Sequence, residues 1–303
     1  MAEQKNEVVE QKAKKKMYIT EYLSQPAVKE QIANVLGDKD AVSFVSDVVA
    51  CVQNNPGLAD CTNGSIFSGA LIAKTIGLPL TPTLGYAYLV PFDNKKNGAY
   101  VKEAQFQMGY KGFVQLALRS GMYEKLIATD IRKGEIVSYN PFEDEYEFKP
   151  CDFEKRHEKG KDGKYIVPII GYYAKMKLLN GFVKEAYMPL DEMLDFAKKY
   201  SKAYRRDMEK HTAYSHWTTR FEDMAKKTMI RQLLSKWGLL TPELQKAYES
   251  DMAVVGENGE LTYVDNMPDD ERETVNVMGE NADVVVEAVD VTPENIEVPE
   301  NFK

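Results

Sequence analysis

Three polar side chains, Lys111, Gln115 and Arg119, recur every fourth residue within KEAQFQMGYKGFVQLALRSG, residues 102–121. At 100° per residue they form one stripe of a helix, with Tyr110, Phe113, Val114, Leu116 and Ala117 on the other side. Upstream, Ala104, Phe106 and Met108 alternate with Glu103, Gln105 and Gln107, the period of a strand with one apolar and one polar face. Lys and Arg only donate hydrogen bonds, whereas glutamine amides donate and accept. Together with Lys102, such faces suit phosphate oxygens and base edges. They hold no nucleophile–base pair and no set of metal ligands.

Two further segments repeat the arrangement. In GYYAKMKLL (171–179), Tyr172, Ala174, Met176 and Leu178 alternate with Tyr173, Lys175 and Lys177, so an aromatic ring and two cations share the polar face. In SHWTTRFEDMAKKTMIRQLLSKWG (215–238), Phe221, Ala225, Met229 and Leu233 step by four along one side. Arg220, Lys227 and Arg231 lie within about 40° of one another on the far side at 3.6 residues per turn. Cations so placed repel mildly, which a polyanionic partner would relieve. The expectation is that these three face solvent.

The 303-residue chain around these faces is 44% hydrophobic, enough for a sizeable core. Its net charge of −8 is unevenly spread. Residues 249–303 hold sixteen Asp or Glu against Arg272 and Lys303, a net of −14, and subtraction leaves +6 for residues 1–248. A basic body with an acidic tail fits a polyanion-binding protein. No apolar run nears the ~20 residues of a membrane span, and the polar start shows no signal-peptide pattern, so a soluble, cytoplasmic protein is expected. Cys51, Cys61 and Cys151 lack C-x-x-C spacing and read as reduced thiols. There is no P-loop and no G-x-G-x-x-G, and His211 and His216 are not spaced to share a helical face. No cofactor or catalytic residue is indicated. GYKG (109–112) fits the G-x-x-G of KH domains, but here a strand rather than a helix leads into it.

The elements that must position these residues follow from periodicity. Residues 1–16 read as a charged flexible arm, 17–248 as the folded core and 249–303 as a disordered acidic tail. Helices are expected over 27–76, 190–200, 215–237 and 242–249. Strands are expected at 85–92, 99–108, 124–134, 146–150, 167–179 and 181–189, and Asn180-Gly181 favours a two-residue hairpin. The fold class is α+β, a mostly antiparallel sheet flanked by helices.

TIGLPLTPTLGYAYLVPF, AQFQMGYKGFVQLALRSG and SHWTTRFEDMAKKTMIRQLLSKWG, in this order and spacing, resemble the motifs of the RecT family of phage and prophage single-strand annealing proteins. The resemblance covers about residues 25–245. It departs at Ser215-His216-Trp217, where the family usually has Ser-Pro-Trp. The resemblance implies an antiparallel sheet flanked by helices, assembled side by side into rings or helical filaments. It also implies ATP-independent annealing of complementary DNA strands, with the protein holding single-stranded DNA and the annealed duplex. Further implied partners are a RecE-type exonuclease and the host single-strand-binding protein. On this reading Lys102, Gln105, Gln107 and Lys111 line one wall of a groove, Arg220, Lys227 and Arg231 another, and Tyr110 or Tyr173 stacks on bases. The alternatives are a metal-dependent phage nuclease and a passive single-strand-binding protein.

Overall fold

The computed structural model describes residues 17–96, 99–143, 145–161, 163–256 and 259–263. Apolar residues at helical spacing wind the N-terminal third into α1 (Ile19–Leu23), α2 (Pro26–Leu36) and α3 (Asp38–Asn54). A 3₁₀ turn (Pro56–Asp60) leads to α4 (Asn63–Thr75). Pro26 opens α2 at a position where a missing amide costs nothing. The end of α4 is closed by Gly77 N donating to Lys74 O at 3.0 Å and Leu78 N to Ala73 O at 2.9 Å, the Schellman pattern.

The chain then becomes extended. β1 (Ala87–Lys96) pairs antiparallel with β2 (Ala99–Met108), and α5 (Tyr110–Arg119) follows at once. Next come β3 (Tyr123–Arg132), β4 (Ile136–Asn140), β5 (Glu145–Phe148), α6 (Phe153–His157), β6 (Ile169–Leu178) and β7 (Val183–Pro189). The C-terminal third supplies α7 (Leu190–Tyr200), α8 (Lys202–Lys210), α9 (His216–Thr219), α10 (Phe221–Trp237), α11 (Pro242–Ser250), β8 (Ala253–Val255) and β9 (Leu261–Tyr263). The strands form three antiparallel sheets, ordered β1-β2-β8-β9, β3-β6-β7 and β4-β5. The fold is therefore α+β, with antiparallel sheets flanked by helices.

The core is one cluster that takes in α1–α4, β1 and β2 on one side and α10 with β3 and β6 on the other, with α5 between them in contact with α10 and β3. α4 covers the Ala104–Phe106–Met108 face of β2. α10 packs on β3, β6 and β7 along one side and on α5 along another. Ala225, Met229 and Leu233 are buried as their spacing requires, but so are Thr228, Ile230 and Leu234, so α10 is enclosed on more than one side.

Four expectations are corrected. The helix expected over 215–237 is broken at Arg220, whose φ of −140° and ψ of 50° separate α9 from α10. The β6–β7 turn is a three-residue loop: Gly181 N donates to Leu178 O, Gly181 adopts φ 91°, and Leu178 N pairs with Phe182 O. This is a type I turn closed by a left-handed residue, which glycine adopts without steric cost. β4 and α8 stand where no element was expected. The tail boundary at 248 falls inside the fold, because β8 pairs with β2 through Gln105–Val254 and Phe106–Ala253. The arm 1–16 and residues 264–303 lie outside the described residues.

The GYKG glycines have a packing reason. Gly109 N donates to Tyr86 O at 2.9 Å, drawing the start of α5 onto the Gly85–Tyr86 backbone. A Cβ at Gly109 would collide with Gly85 O, and one at Gly112 with Tyr86 O. Backbone cannot move aside as a flexible side chain would. Gly112→Ala is thus expected to destabilise by about 1–3 kcal/mol, lowering the melting temperature by about 2–4 °C per kcal/mol for a chain of this size. Circular dichroism melts against the parent protein check this.

Candidate nucleic-acid interface

α5 carries two of the candidate cations that reach solvent. Lys111 and Arg119 are exposed and Gln115 is half-buried. Eight residues at 1.5 Å each put the two cations about 12 Å apart along the helix. Phe113, Leu116 and Ala117 anchor the opposite side in the core. Arg119 Nη1 also donates to Gly77 O at 3.1 Å, which ties the last turn of α5 to the end of α4.

Beside this stripe runs an open groove of about 370 Å³. Tyr86, Tyr110, Lys111, Val114 and Gln115 form one wall, and Leu126, Ile127 and Ala128 of β3 form the other. Tyr110 is half-buried, and burial, then Asp223, then Tyr88, raise its hydroxyl pKa, so it stays a neutral donor. The same influence places Asp223, in the first turn of α10, near Tyr110. Arg220 immediately precedes that turn and is exposed. His216 is held below its ordinary pKa by burial, then by Arg220 and Lys227, which favours the neutral ring.

Lys227 does not face solvent as expected, and Arg231 does so only in part, its side chain being 25% exposed. Lys227 is 4% exposed, and its Nζ donates to Asp251 Oδ1 at 2.8 Å. Arg231 Nη1 bonds the other oxygen of Asp251, and its guanidinium lies 4.4 Å over the Tyr248 ring. Asp251 is fully buried and also accepts from Met108 N at 2.7 Å. Burial pulls the Lys227 ammonium below its ordinary pKa, against the upward pull of Asp251. Gln105 and Gln107 are buried too. Gln107 Nε2 donates to Gln105 Oε1, and Gln105 Nε2 to Met252 O, both at 2.6 Å. Lys227, Gln105 and Gln107, expected to meet a ligand, are thus engaged inside the protein, and the half-buried Arg231 is committed to Asp251.

The remaining candidates lie apart from α5. Tyr173 is buried beneath β5, its ring 4.6 Å from Phe148, and burial followed by Glu185 pushes its hydroxyl pKa well up. Lys175 pairs with Glu185 at 2.5 Å and Lys177 with Glu124 at 2.8 Å. Lys102, at the other end of β2 from α5, lies 3.7 Å from Asp60. The structure therefore brings Tyr110, Lys111 and Arg119 together, sets Arg220 next to the first turn of α10, and scatters the rest. Tyr86, Leu126 and Ile127 complete the groove, and their sequence context did not mark them. They read there as ordinary strand residues, and only the packing of α5 against β3 sets the two walls opposite each other.

A second buried carboxylate sets the approach to α10. Asp207 accepts from Thr212 Oγ1 (2.6 Å), Ser215 N (2.7 Å), Thr218 Oγ1 (2.7 Å) and Tyr214 N (3.0 Å). Burial pushes its pKa upward, but these four donors outweigh it and hold the carboxyl far below the usual range. Ser215 Oγ in turn accepts from Thr218 N at 3.1 Å and caps α9, so the cap is intact with His216 in place of proline. Trp217 is buried against Phe221, ring centroids 5.4 Å apart.

Among the described residues no three His, Cys, Asp or Glu side chains are grouped to hold a metal. No helix among them is long and apolar enough to cross a membrane. The α+β scaffold thus presents Lys111 and Arg119 to solvent, with Tyr86 and Tyr110 lining the groove beside them. The sequence model of the RecT family matches residues 43–269, and the chain belongs to that family. It is 34% identical over 258 residues to the uncharacterized protein YqaK of Bacillus subtilis (strain 168), covering 83% of this chain and 80% of that protein. It is 30% identical over 235 residues to Protein RecT of Escherichia coli (strain K12), covering 77% and 80%. Family membership supports a role in single-strand annealing and DNA recombination, and the family's proteins are annealing proteins rather than catalytic enzymes.

Removing one partner of a buried ion pair leaves the other charged and unpaired, which costs about 3–5 kcal/mol. Asp251→Ala is expected to destabilise by that amount in urea unfolding, and a chain ending after Tyr248 to lose the cooperative transition. For Asp207 the folded pKa is depressed. Its contribution is therefore complete above the ordinary value of 3.8 and is lost as pH falls through the lower folded value. The melting-temperature gap between the parent and Asp207→Asn should be constant from neutral pH down to about pH 5 and narrow below about pH 4.

Proposed function

We propose that this protein binds single-stranded DNA along the α5 face and promotes pairing of complementary strands without ATP. The observation that carries this reading is the Lys111–Gln115–Arg119 stripe, whose two cations are exposed, beside a groove bearing Tyr86 and Tyr110. Lys111 and Arg119, with Arg220 nearby, neutralise phosphates and release counterions. The tyrosines offer flat faces on which bases of any identity stack. The cations follow the backbone and carry no sequence information, as annealing of arbitrary sequences requires. Pairing breaks no covalent bond, and correct stacking contributes about 1.4 kcal/mol per base-pair step. One subunit spans few nucleotides, so neighbouring copies act in line as a ring or helical filament. A RecE-type exonuclease that exposes strands and the host single-strand-binding protein are the partners this activity calls for.

The test is a fluorescence-quench assay with two complementary oligonucleotides and no nucleotide. Acceleration over the spontaneous rate is expected. A passive coating protein would slow pairing, and a metal-dependent nuclease would shorten labelled DNA when Mg²⁺ is added. Lys111→Ala and Arg220→Ala alter exposed residues, so stability should change by less than ~0.5 kcal/mol. Oligonucleotide affinity should fall for every sequence tested. The slope of log affinity against log salt should flatten by about 0.7 for each phosphate no longer neutralised. Titrations by fluorescence anisotropy at several salt concentrations measure both effects.

A further inference from the structure

Two exposed surfaces of opposite charge stand outside the α5 face. The first is the hairpin of β4 and β5. Tyr146, on its inner side, lies against Tyr173 and Tyr187, with its amide on Glu185 Oε2 at 3.2 Å, which fixes the hairpin to the β3-β6-β7 sheet. Its outer side is apolar and acidic. Phe142 at the turn is 94% exposed and Val137 54%, and Glu143, Glu145 and Glu147 are exposed around them. A phenylalanine in solvent at the turn of an anchored hairpin has no role in this chain's own core.

The second surface lies where α10 and the β6–β7 turn end. Met122, Leu179, Phe182, Trp237, Leu239 and Leu240 are each more than a third exposed. They are neighbours: Leu179 N donates to Met122 O at 3.0 Å, the Phe182 and Trp237 rings are 6.4 Å apart, and Tyr123 Oη donates to Leu239 O at 2.9 Å. The rim is basic. Lys184 Nζ sits 4.6 Å over the Trp237 ring, Lys236 is exposed beside it, and exposed Lys125 lies across the strands from Lys177. Glu124, paired with Lys177, adds an acidic group to this rim. A contiguous apolar patch of this kind marks an interaction site.

We propose that the acidic, apolar hairpin turn of one copy of this chain docks on the apolar, basic-rimmed patch of the next. Phe142 enters among Leu179, Phe182 and Trp237, while Glu143 and Glu145 meet Lys236 and Lys184. Opposite charge on two different surfaces of one chain selects a head-to-tail contact over a symmetric one, and such a contact closes into rings or runs on as a filament. The inference deepens the assembly part of the proposed function and rests on it. It is independent of which residues hold DNA.

The experiment uses the full chain, with mass read by light scattering after gel filtration, with and without a single-stranded oligonucleotide. Phe142→Glu and Leu179→Glu change exposed residues, and their melts should match the parent. Each should raise the concentration for half-assembly at least tenfold. Mixed together they should form dimers and nothing larger, because one contributes an intact patch and the other an intact hairpin. Glu143→Lys with Glu145→Lys should also disassemble the protein, and adding Lys236→Glu should restore it in part. A parent that stays monomeric with and without DNA overturns the proposal, as does a Phe142→Glu protein of unchanged mass. Disassembly of Leu179→Glu alone, without complementation on mixing, would show a symmetric patch-to-patch contact and equally overturn it. Anisotropy on the same variants keeps the two readings separate: a monomeric variant that still binds DNA leaves the α5 face standing.

Discussion

A single buried carboxylate joins the parts of this protein that are distant in sequence. Asp251 receives Lys227 and Arg231 from α10 and the amide of Met108 from the end of β2. An isolated carboxylate in such a place is costly, and two cations plus an amide make it tolerable. Met252, next in the chain, adopts a left-handed φ of 68°, accepts from Gln105 and sends its amide to Phe106 O at 2.9 Å. The strain of that conformation in a non-glycine residue is held by the bonds on either side. The consequence is that α10, the end of β2 and β8 keep one relative position, and α5, which begins two residues after Met108, is placed by the same contact.

This placement gives the α5 face its form. Gly109 and Gly112 let the helix start lie directly on the Gly85–Tyr86 backbone, and the buried side of α5 meets α10 and β3. What remains outward is the cation–amide stripe and a groove whose far wall is β3. Buried charges thus serve architecture, while Lys111, Arg119 and Arg220 remain in solvent. The division is visible in α10 and its approach: Arg220 at the helix break is exposed, while Lys227, seven residues on, is in the interior.

The fold class, α7 over 190–200 and the exposed stripe of α5 were legible because each depends on local period alone. Boundaries shifted where turn chemistry decided them, as at Gly181 and Arg220. Local pattern misled where a second face was covered by something distant. In β2 the alternation correctly separated Ala104, Phe106 and Met108 from Gln105 and Gln107. Periodicity does not tell whether the polar face meets water or, as here, a backbone carbonyl from Met252. In α10 the inward residues were found, yet Lys227 and Arg231 read as solvated because their counter-ion lies 24 and 20 residues on. It sits in a stretch whose acidic composition masked the short apolar run Met252–Val255, bounded by Gly256. That run, read by itself, carried the strand signal.

The pairing of β2 with β8 also has a consequence in time. Gln105 and Met252 meet across 147 residues, and contacts so distant must pay loop-closure entropy before they return any stabilisation. During synthesis β1, β2 and α4 are made first, yet the inner edge of their sheet stays open until residue 255 has left the ribosome. Lys227 and Arg231 emerge before Asp251, so they too wait in water without their counter-ion. The β2–β8 contact and the counter-ion of α10 are therefore the last parts of this arrangement that synthesis makes available.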